Sequence, residues 1–300
     1  MPTAFSLYES CVQNPELAVK LLRGIHGASP RVLAEDFCGT AALSRAWVRA
    51  IENSRAIAAD IDPAPLKRAK AEIAKLRGRS RGKVRGKSLV PPAKAVRILR
   101  ANVLTSTPLA KARADVLFVG NFSIGEIHDR ATLVRYLARS RKRLLKGGVF
   151  VCDIYAGESA FREGTTQREH ILADGTRVKY TWEQRTADPL TARVVNALHF
   201  RVFKGSELVQ DLHDAFVYHW RLWSIPELRD AMLEAGFDRV DVYAQLPDAE
   251  DSDGNVYASP VDDPEELGPS FIVCVAARAS SKKAAGPGGR PRPAKRSARR

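Results

Sequence analysis

Arg31-Val-Leu-Ala-Glu-Asp-Phe-Cys-Gly-Thr-Ala-Ala-Leu-Ser44 decides the fold of this 300-residue chain. A short apolar run ends in two carboxylates, Glu35 and Asp36. Small residues turn the chain at Cys38-Gly39-Thr40-Ala41, and an amphipathic helix then starts. This is how a buried strand hands over to a helix whose first N–H groups have no intrahelical partner. Such an end carries partial positive charge and free donors, which suit a carboxylate or phosphate. Further on, a second apolar run, Arg55-Ala-Ile-Ala-Ala-Asp60, also ends in an acid. A carboxylate at the tip of the second strand suits two ribose hydroxyls, so the whole reads as a nucleoside-binding βαβ unit.

Outward from this unit, the chain is long enough for one large domain or a domain with an insertion. Its hydrophobic content of 45% is that of an ordinary globular protein. No run is apolar enough to span a membrane, and Met1–Tyr8 lacks the pattern of a secretory signal. Cys11, Cys38, Cys152 and Cys274 show no CxxC spacing. They argue against a metal site or a disulfide framework and for a reducing cytoplasm. The net charge of +14 is local: Lys67–Arg100 carries +12 and Ala279–Arg300 carries +8, which leaves −6 for the remainder. Both basic segments have the composition of solvated, disordered chain. They also suit a weak, salt-sensitive contact with RNA or another polyanion through 78–100 and 279–300. An acidic stretch, Asp248–Glu266, offers either of them a partner within the molecule.

The pattern predicts helix over residues 5–27 and strands at Val32–Glu35, Ala56–Asp60, Val96–Leu99, Asp115–Val119 and Val149–Ile154. Helices are expected at Ala41–Asn53, after Asp62-Pro63, and at Ala131–Leu145, the last stopped by Lys146-Gly147-Gly148. Alternating polar and apolar residues then mark three antiparallel strands, Arg177–Thr186, Ala192–Phe203 and Leu208–Trp220. A helix at Ile225–Ala235 and strands at Val240–Tyr243 and Phe271–Ala276 close the body. The implied organisation is an N-terminal helical segment (1–27), a body (28–278) with a basic insertion (78–94) and an antiparallel β insertion (about 160–222), and a basic tail (279–300).

Six segments in order resemble the motifs of the class I S-adenosylmethionine (SAM)-dependent methyltransferases. They are the loop Val32–Ala41, the second-strand motif Ala56–Pro63, Arg100–Val103, Asp115–Ser123, Leu144–Val151 and Glu234–Phe237. The loop Glu35-Asp-Phe-Cys-Gly-Thr-Ala41 is similar to that of one subgroup of the family. The resemblance implies an α/β fold: a doubly wound, seven-stranded, mostly parallel sheet with one antiparallel strand, plus an inserted antiparallel β lid. Two departures stand out. The family's three alternate loop glycines are here Phe37, Gly39 and Ala41, and Asn102 replaces the usual adenine-side acid. Either the cofactor lies further out or the Phe37 ring turns into the core. NAD binding competes on the loop and the ribose acid, but it predicts a glycine where Ala42 stands.

As the resemblance implies, SAM is the cofactor. Asp60, with Ile61 beside it, holds the ribose, and Glu35 or Asp36 lies near the methionyl part. Gly39 and Thr40 offer backbone N–H groups, and Asn102 with Val103 faces the adenine. Asn121-Phe122-Ser123 borders the transferring methyl and the substrate, and Tyr8 lids the cofactor. Each has a plainer reading: Asp60 and Asp62 as helix caps, Asn102 and Asn121 as turn residues, Tyr8 as core. Candidate bases are His128, His213, His219 and Tyr180; Asn121 and His128 lead as catalytic candidates. Tyr180, Trp182, His213, Tyr218, Trp220 and Trp223 are candidates for an aromatic substrate pocket. An insertion after the fifth strand goes with small-molecule N or O acceptors in relatives. Methylation of RNA or protein, and a non-catalytic SAM-binding role, remain as alternatives. No metal and no membrane is expected.

Overall fold

The computed structural model describes residues 1–76, 83–84, 87–88, 92–252, 254 and 256–279. Much of the basic insertion at 78–94 and all but the first residue of the tail at 279–300 lie outside the described residues.

Strands β1 (Val32–Asp36), β2 (Arg55–Asp60), β3 (Val96–Arg100), β4 (Ala114–Val119) and β5 (Leu144–Gly157) come first. Next are β6 (Gly164–Ile171), β7 (Arg177–Asp188), β8 (Arg193–Lys204) and β9 (Glu207–Arg221), then β10 (Arg239–Ala244) and β11 (Ser270–Arg278). The main sheet has the order β10-β11-β5-β4-β1-β2-β3. Only β11 runs against its neighbours in this sheet. The expected fold class, seven strands with one antiparallel, is what the chain adopts. Strands β6 to β9 form a second, fully antiparallel sheet.

The longer helices are α1 (Ala4–Cys11), α2 (Pro15–His26), α3 (Ala42–Ala50), α4 (Pro63–Lys75), α5 (Arg130–Lys142) and α6 (Ile225–Glu234). Helices α2 and α3 bury Leu22, Ile25 and Trp47 on one face of the main sheet. Helices α5 and α6 bury Leu133, Tyr136, Leu228 and Met232 on the other. Covered on both faces, the central strands read as continuous apolar runs rather than alternating ones.

The expected single helix over 5–27 is in fact two. Asn14 caps α2 by accepting the Leu17 N–H, and Pro15 occupies its first turn. Proline has no N–H and clashes with the preceding turn, so the helix cannot run through it. The break lets α1 leave the main sheet and pack Leu7 and Cys11 against Val178, Leu198 and Phe200 of the second sheet. Helix α5 also ends earlier than expected, at Lys142, with Arg143 as its right-handed cap. Leu144 already pairs with Ala114, so Gly147, at φ 78°, lies inside β5 at a register shift rather than capping a helix. Strand β6 was not expected at all. Its residues are nearly all exposed, and Gly-Thr-Thr-Gln-Arg-Glu-His-Ile carries no apolar alternation.

The second sheet is clamped to the main body through the segment after β4. A Cβ on Gly125 would come within 2.9 Å of Trp220 Cβ, so only glycine allows this approach. Around it, Trp220 Nε1 donates to Glu126 (2.9 Å), Trp223 Nε1 to the Ile127 carbonyl (2.9 Å) and Arg221 to the His128 carbonyl (3.1 Å).

The most buried ion pair joins β1 to α5. Asp36, fully buried, accepts both guanidinium nitrogens of Arg143 (2.6 and 3.0 Å) and the Tyr136 hydroxyl (2.9 Å). Removing one partner leaves a buried charge uncompensated. Arg143→Met is therefore expected to lose about 3–5 kcal/mol of stability and Tyr136→Phe about 1–2 kcal/mol, measured by urea unfolding. Equal losses would contradict this account.

Candidate active site

Ligands of open α/β sheets lie beyond the carboxyl ends of the strands, and here that edge is built by carboxylates holding tight turns. After β1 the backbone is left-handed at Phe37 (φ 56°), Gly39 (φ 51°) and Ala41 (φ 55°). These are the three alternate positions of the loop, so the conformation persists where two glycines are replaced. The Phe37 ring is turned into the core and packs edge-on against Tyr136, 6.4 Å between centroids.

Asp60 supports this loop: Oδ2 accepts the Gly39 N–H and Oδ1 the Asp62 N–H (2.8 and 2.9 Å). Each carboxylate oxygen accepts more than one hydrogen bond, so Asp60 keeps capacity for a vicinal diol. A Cβ at Gly39 would meet nothing within 4 Å, so the loop has open space in front of it. These features fit a nucleoside. The same loop is overlain by α1, where Glu9 pairs with Arg45 (3.0 Å) and Arg68 (3.1 Å). Burial pushes the Glu9 carboxyl up, but hydrogen bonds from Arg68 and Thr40 and the Arg45 charge hold it below its ordinary range.

Glu35 is buried near the end of β1 and accepts both the N–H and the hydroxyl of Ser44, in the first turn of α3 (2.9 and 2.5 Å). Burial pushes its carboxyl up to about 7, against those two bonds and the Arg45 charge. It lines a cavity of about 150 Å³ with Leu21, Phe118, Asn121, Asp153 and Gln245. A larger cavity of about 540 Å³ shares Asn121, Asp153 and Gln245 with it, so the two adjoin. The larger one lies between the main sheet, α1 and the second sheet. Phe122, Tyr155, Trp182 and Trp220 line it as a cluster of rings, with Phe122 5.0, 6.2 and 5.9 Å from the other three. Tyr8 and Tyr180 line it as well. Asn121 and Phe122 are both left-handed, and both N–H groups donate to Asp153 (3.0 and 2.7 Å). Burial pushes Asp153 up to about 6 against these bonds.

Among the sequence candidates, the larger cavity brings together Tyr8, Asn121, Phe122, Tyr180, Trp182 and Trp220. Tyr218 stands behind it, its hydroxyl beside that of Tyr8 and its ring stacked on Trp220 at 4.5 Å. Other candidates lie elsewhere. Asp36 points away into its pair with Arg143, because a strand sends successive side chains to opposite faces. His128 lines neither cavity; its Nε2 donates to the His219 carbonyl (2.7 Å), which makes it a tether. His213 is exposed beside Asp214 (3.0 Å) on the outer side of the second sheet. Asn102 accepts the Leu104 N–H (2.9 Å) as a turn residue, and the Val103 side chain belongs to the core. Ile61 is exposed next to Asp60, and Thr40 is buried beneath Glu9.

Sequence reading missed Asp153, Tyr155 and Arg168 on the cavity wall. The first two had a signal: polar residues at the carboxyl end of a buried strand, Val-Cys-Asp153-Ile-Tyr155, mark a ligand edge. Arg168 had none, since its strand carries no pattern.

A carboxyl raised from 4.5 to about 7 stabilises the folded state fully below pH 4.5 and loses that contribution as pH rises through 7. Glu35→Gln keeps an acceptor for Ser44 but cannot ionise. Relative to wild type it is expected to gain roughly 1–3 kcal/mol between about pH 5 and pH 8, read from denaturant midpoints of the ligand-free protein. A pH-independent difference between the two proteins would contradict the raised value.

The sequence matches no protein-family model and no curated protein. Solved structures do match the fold. A SAM-dependent methyltransferase from Clostridium acetobutylicum superposes with a TM-score of 0.61 at 15% identity, over 91% of this chain and 96% of that one. The sugar N-methyltransferase KedS8 from Streptoalloteichus sp gives 0.59 at 15% identity, over 93% and 94%. CalS10, an amino pentose methyltransferase from Micromonospora echinaspora solved with SAM bound, gives 0.59 at 14% identity, over 92% and 96%. In strand order, in its one antiparallel strand and in these superpositions, the chain has the fold of the SAM-dependent methyltransferases.

Proposed function

We propose that this protein transfers a methyl group from SAM to a nitrogen or oxygen atom of a small molecule. The observation that carries the reading is the pair of adjoining cavities at the carboxyl edge of a methyltransferase fold. One is walled by Glu35 and Asn121, the other by aromatic rings, and Asp153 stands at their junction. Solved structures of the same fold include sugar and amino pentose methyltransferases, which accords with a small acceptor.

SAM supplies an electrophilic methyl and its own leaving group, so the protein's work is to bind, orient and exclude water. Asp60 takes the ribose hydroxyls, the open side of Gly39 receives the nucleoside, and Glu35 serves the amino end. Phe122, Tyr155, Trp182 and Trp220 keep water from the transfer site, and their faces suit positive charge. The Asp153 carboxylate and the Asn121 side chain stand at the junction. They draw in the acceptor's polar hydrogen, and Asp153, held near 6, is able to take a proton from it. This arrangement favours nitrogen over oxygen, because a neutral amine is already nucleophilic and sheds its proton only after transfer, as an ammonium, whereas an alcohol needs a base stronger than a carboxylate. The four cysteines, all free and buried, suit a reducing cytoplasm.

Calorimetric titration with SAM tests the cofactor. Wild type is expected to bind in the micromolar range. Asp60→Ala, checked by circular dichroism to be folded, is expected to bind at least about thirtyfold more weakly, the loss of hydrogen bonds to a charged group. Binding of NAD in place of SAM, or an Asp60→Ala protein with wild-type affinity, would refute the assignment.

A further inference from the structure

We infer that the methyl acceptor carries an anionic group, and that Arg168 takes it within the aromatic cavity; this rests on the methyl-transfer reading. Arg168 lies on β6, the edge strand of the second sheet, and lines the larger cavity. The register explains why. Arg168 pairs with Tyr180 and Thr166 with Trp182, and side chains opposite one another share a face, so all four are turned to the cavity. The neighbouring charged residues of β7, Glu183 and Arg185, alternate to the opposite face. There they pair with each other at 2.9 Å, and His199 joins Glu183 at 3.0 Å.

Arg168 has no such partner. Among the described residues no carboxylate lies within ion-pair distance of its guanidinium. Its neighbour is Tyr180, whose hydroxyl feels the charge. The other cavity wall carries one acid, Asp153, and that residue sits where the two cavities meet, whereas Arg168 lines the larger cavity alone. The cavity is therefore polarised. An anionic group is repelled from the junction by Asp153 and drawn to a guanidinium, whose planar fork suits a carboxylate, phosphate or sulfate. Such a molecule lies with its anion on β6, its body along the rings and its nucleophile at Asn121 and Asp153. Polarity of this kind fixes orientation, and so which atom of the acceptor is methylated.

The experiment incubates the full-length protein with methyl-tritiated SAM and a protein-free small-molecule extract of its source cells. The labelled product is then passed over an anion exchanger at about pH 11, where a methylated secondary or tertiary amine is largely neutral and does not cancel an anionic group, with SAM and its by-product removed beforehand. Retention of the label is expected. With the acceptor purified from that fraction, Arg168→Ala is expected to raise KM at least about tenfold with kcat within about threefold, and Arg168→Lys to fall between. A labelled product that passes unretained, or an Arg168→Ala variant with unchanged KM, overturns this inference alone. No labelled product from a protein that binds SAM overturns the methyl-transfer reading and the inference with it.

Discussion

Left-handed backbone at residues that carry side chains is the constraint on which the rest depends. Phe37, Ala41, Asn121 and Phe122 all adopt it at the carboxyl edge of the main sheet. Each costs on the order of 1 kcal/mol relative to glycine, so it persists only where surrounding bonds impose it. Carboxylates at the strand ends impose it here. Asp60 holds Gly39, Glu35 holds the first turn of α3, and Asp153 holds Asn121 and Phe122. Each carboxylate accepts backbone N–H groups in a partly dry setting, where charge-assisted bonds are strong. The same burial that strengthens those bonds raises Glu35 to about 7 and Asp153 to about 6, so two of the groups that fix the turns titrate near neutrality.

The two sheets divide the work. The main sheet supplies the acids, the loop and two of the rings, Phe122 and Tyr155; the second sheet and α1 supply Trp182, Trp220, Tyr180 and Tyr8. The two sheets meet where Gly125 admits Trp220, through hydrogen bonds from Trp220, Arg221 and Trp223, and where the Tyr155 hydroxyl of β5 bonds Gln184 and Asn196 of the second sheet. Trp220 therefore has two roles, since its indole N–H anchors the second sheet while its ring lines the cavity. Breaking the N-terminal helix at Asn14-Pro15 has the same effect from the other side. It frees α1 to carry Tyr8 to the cavity and Glu9 over the loop, while α2 stays on the main sheet.

The order of strands and helices was legible because each element obeys a local rule. Apolar runs too short for helices gave the buried strands, and Asp62-Pro63 gave the start of α4. Misreadings came where a local signal had two meanings. Gly147 reads as a helix cap but serves a strand irregularity, and Asp36 sits at a site position yet is spent on an ion pair. Closeness in sequence to Ser123 favours His128, and an aromatic strand favours His213, yet neither lines a cavity: His128 bonds the His219 carbonyl and His213 stands beside Asp214.

By itself the sequence determined the fold class, the loop after β1 and the acid after β2, because strand burial, turn chemistry and spacing are written in neighbouring residues. Tertiary structure alone decided which of two adjacent carboxylates, Glu35 or Asp36, meets the cavity, since strand alternation assigns them to opposite faces but only packing says which face is open. It also decided that Asp153, Tyr155 and Arg168, from two different sheets, wall one space. The reason is physical: a site is made by residues far apart in the chain. Their convergence depends on sheet register and on the docking of one layer against another, and no local pattern encodes either.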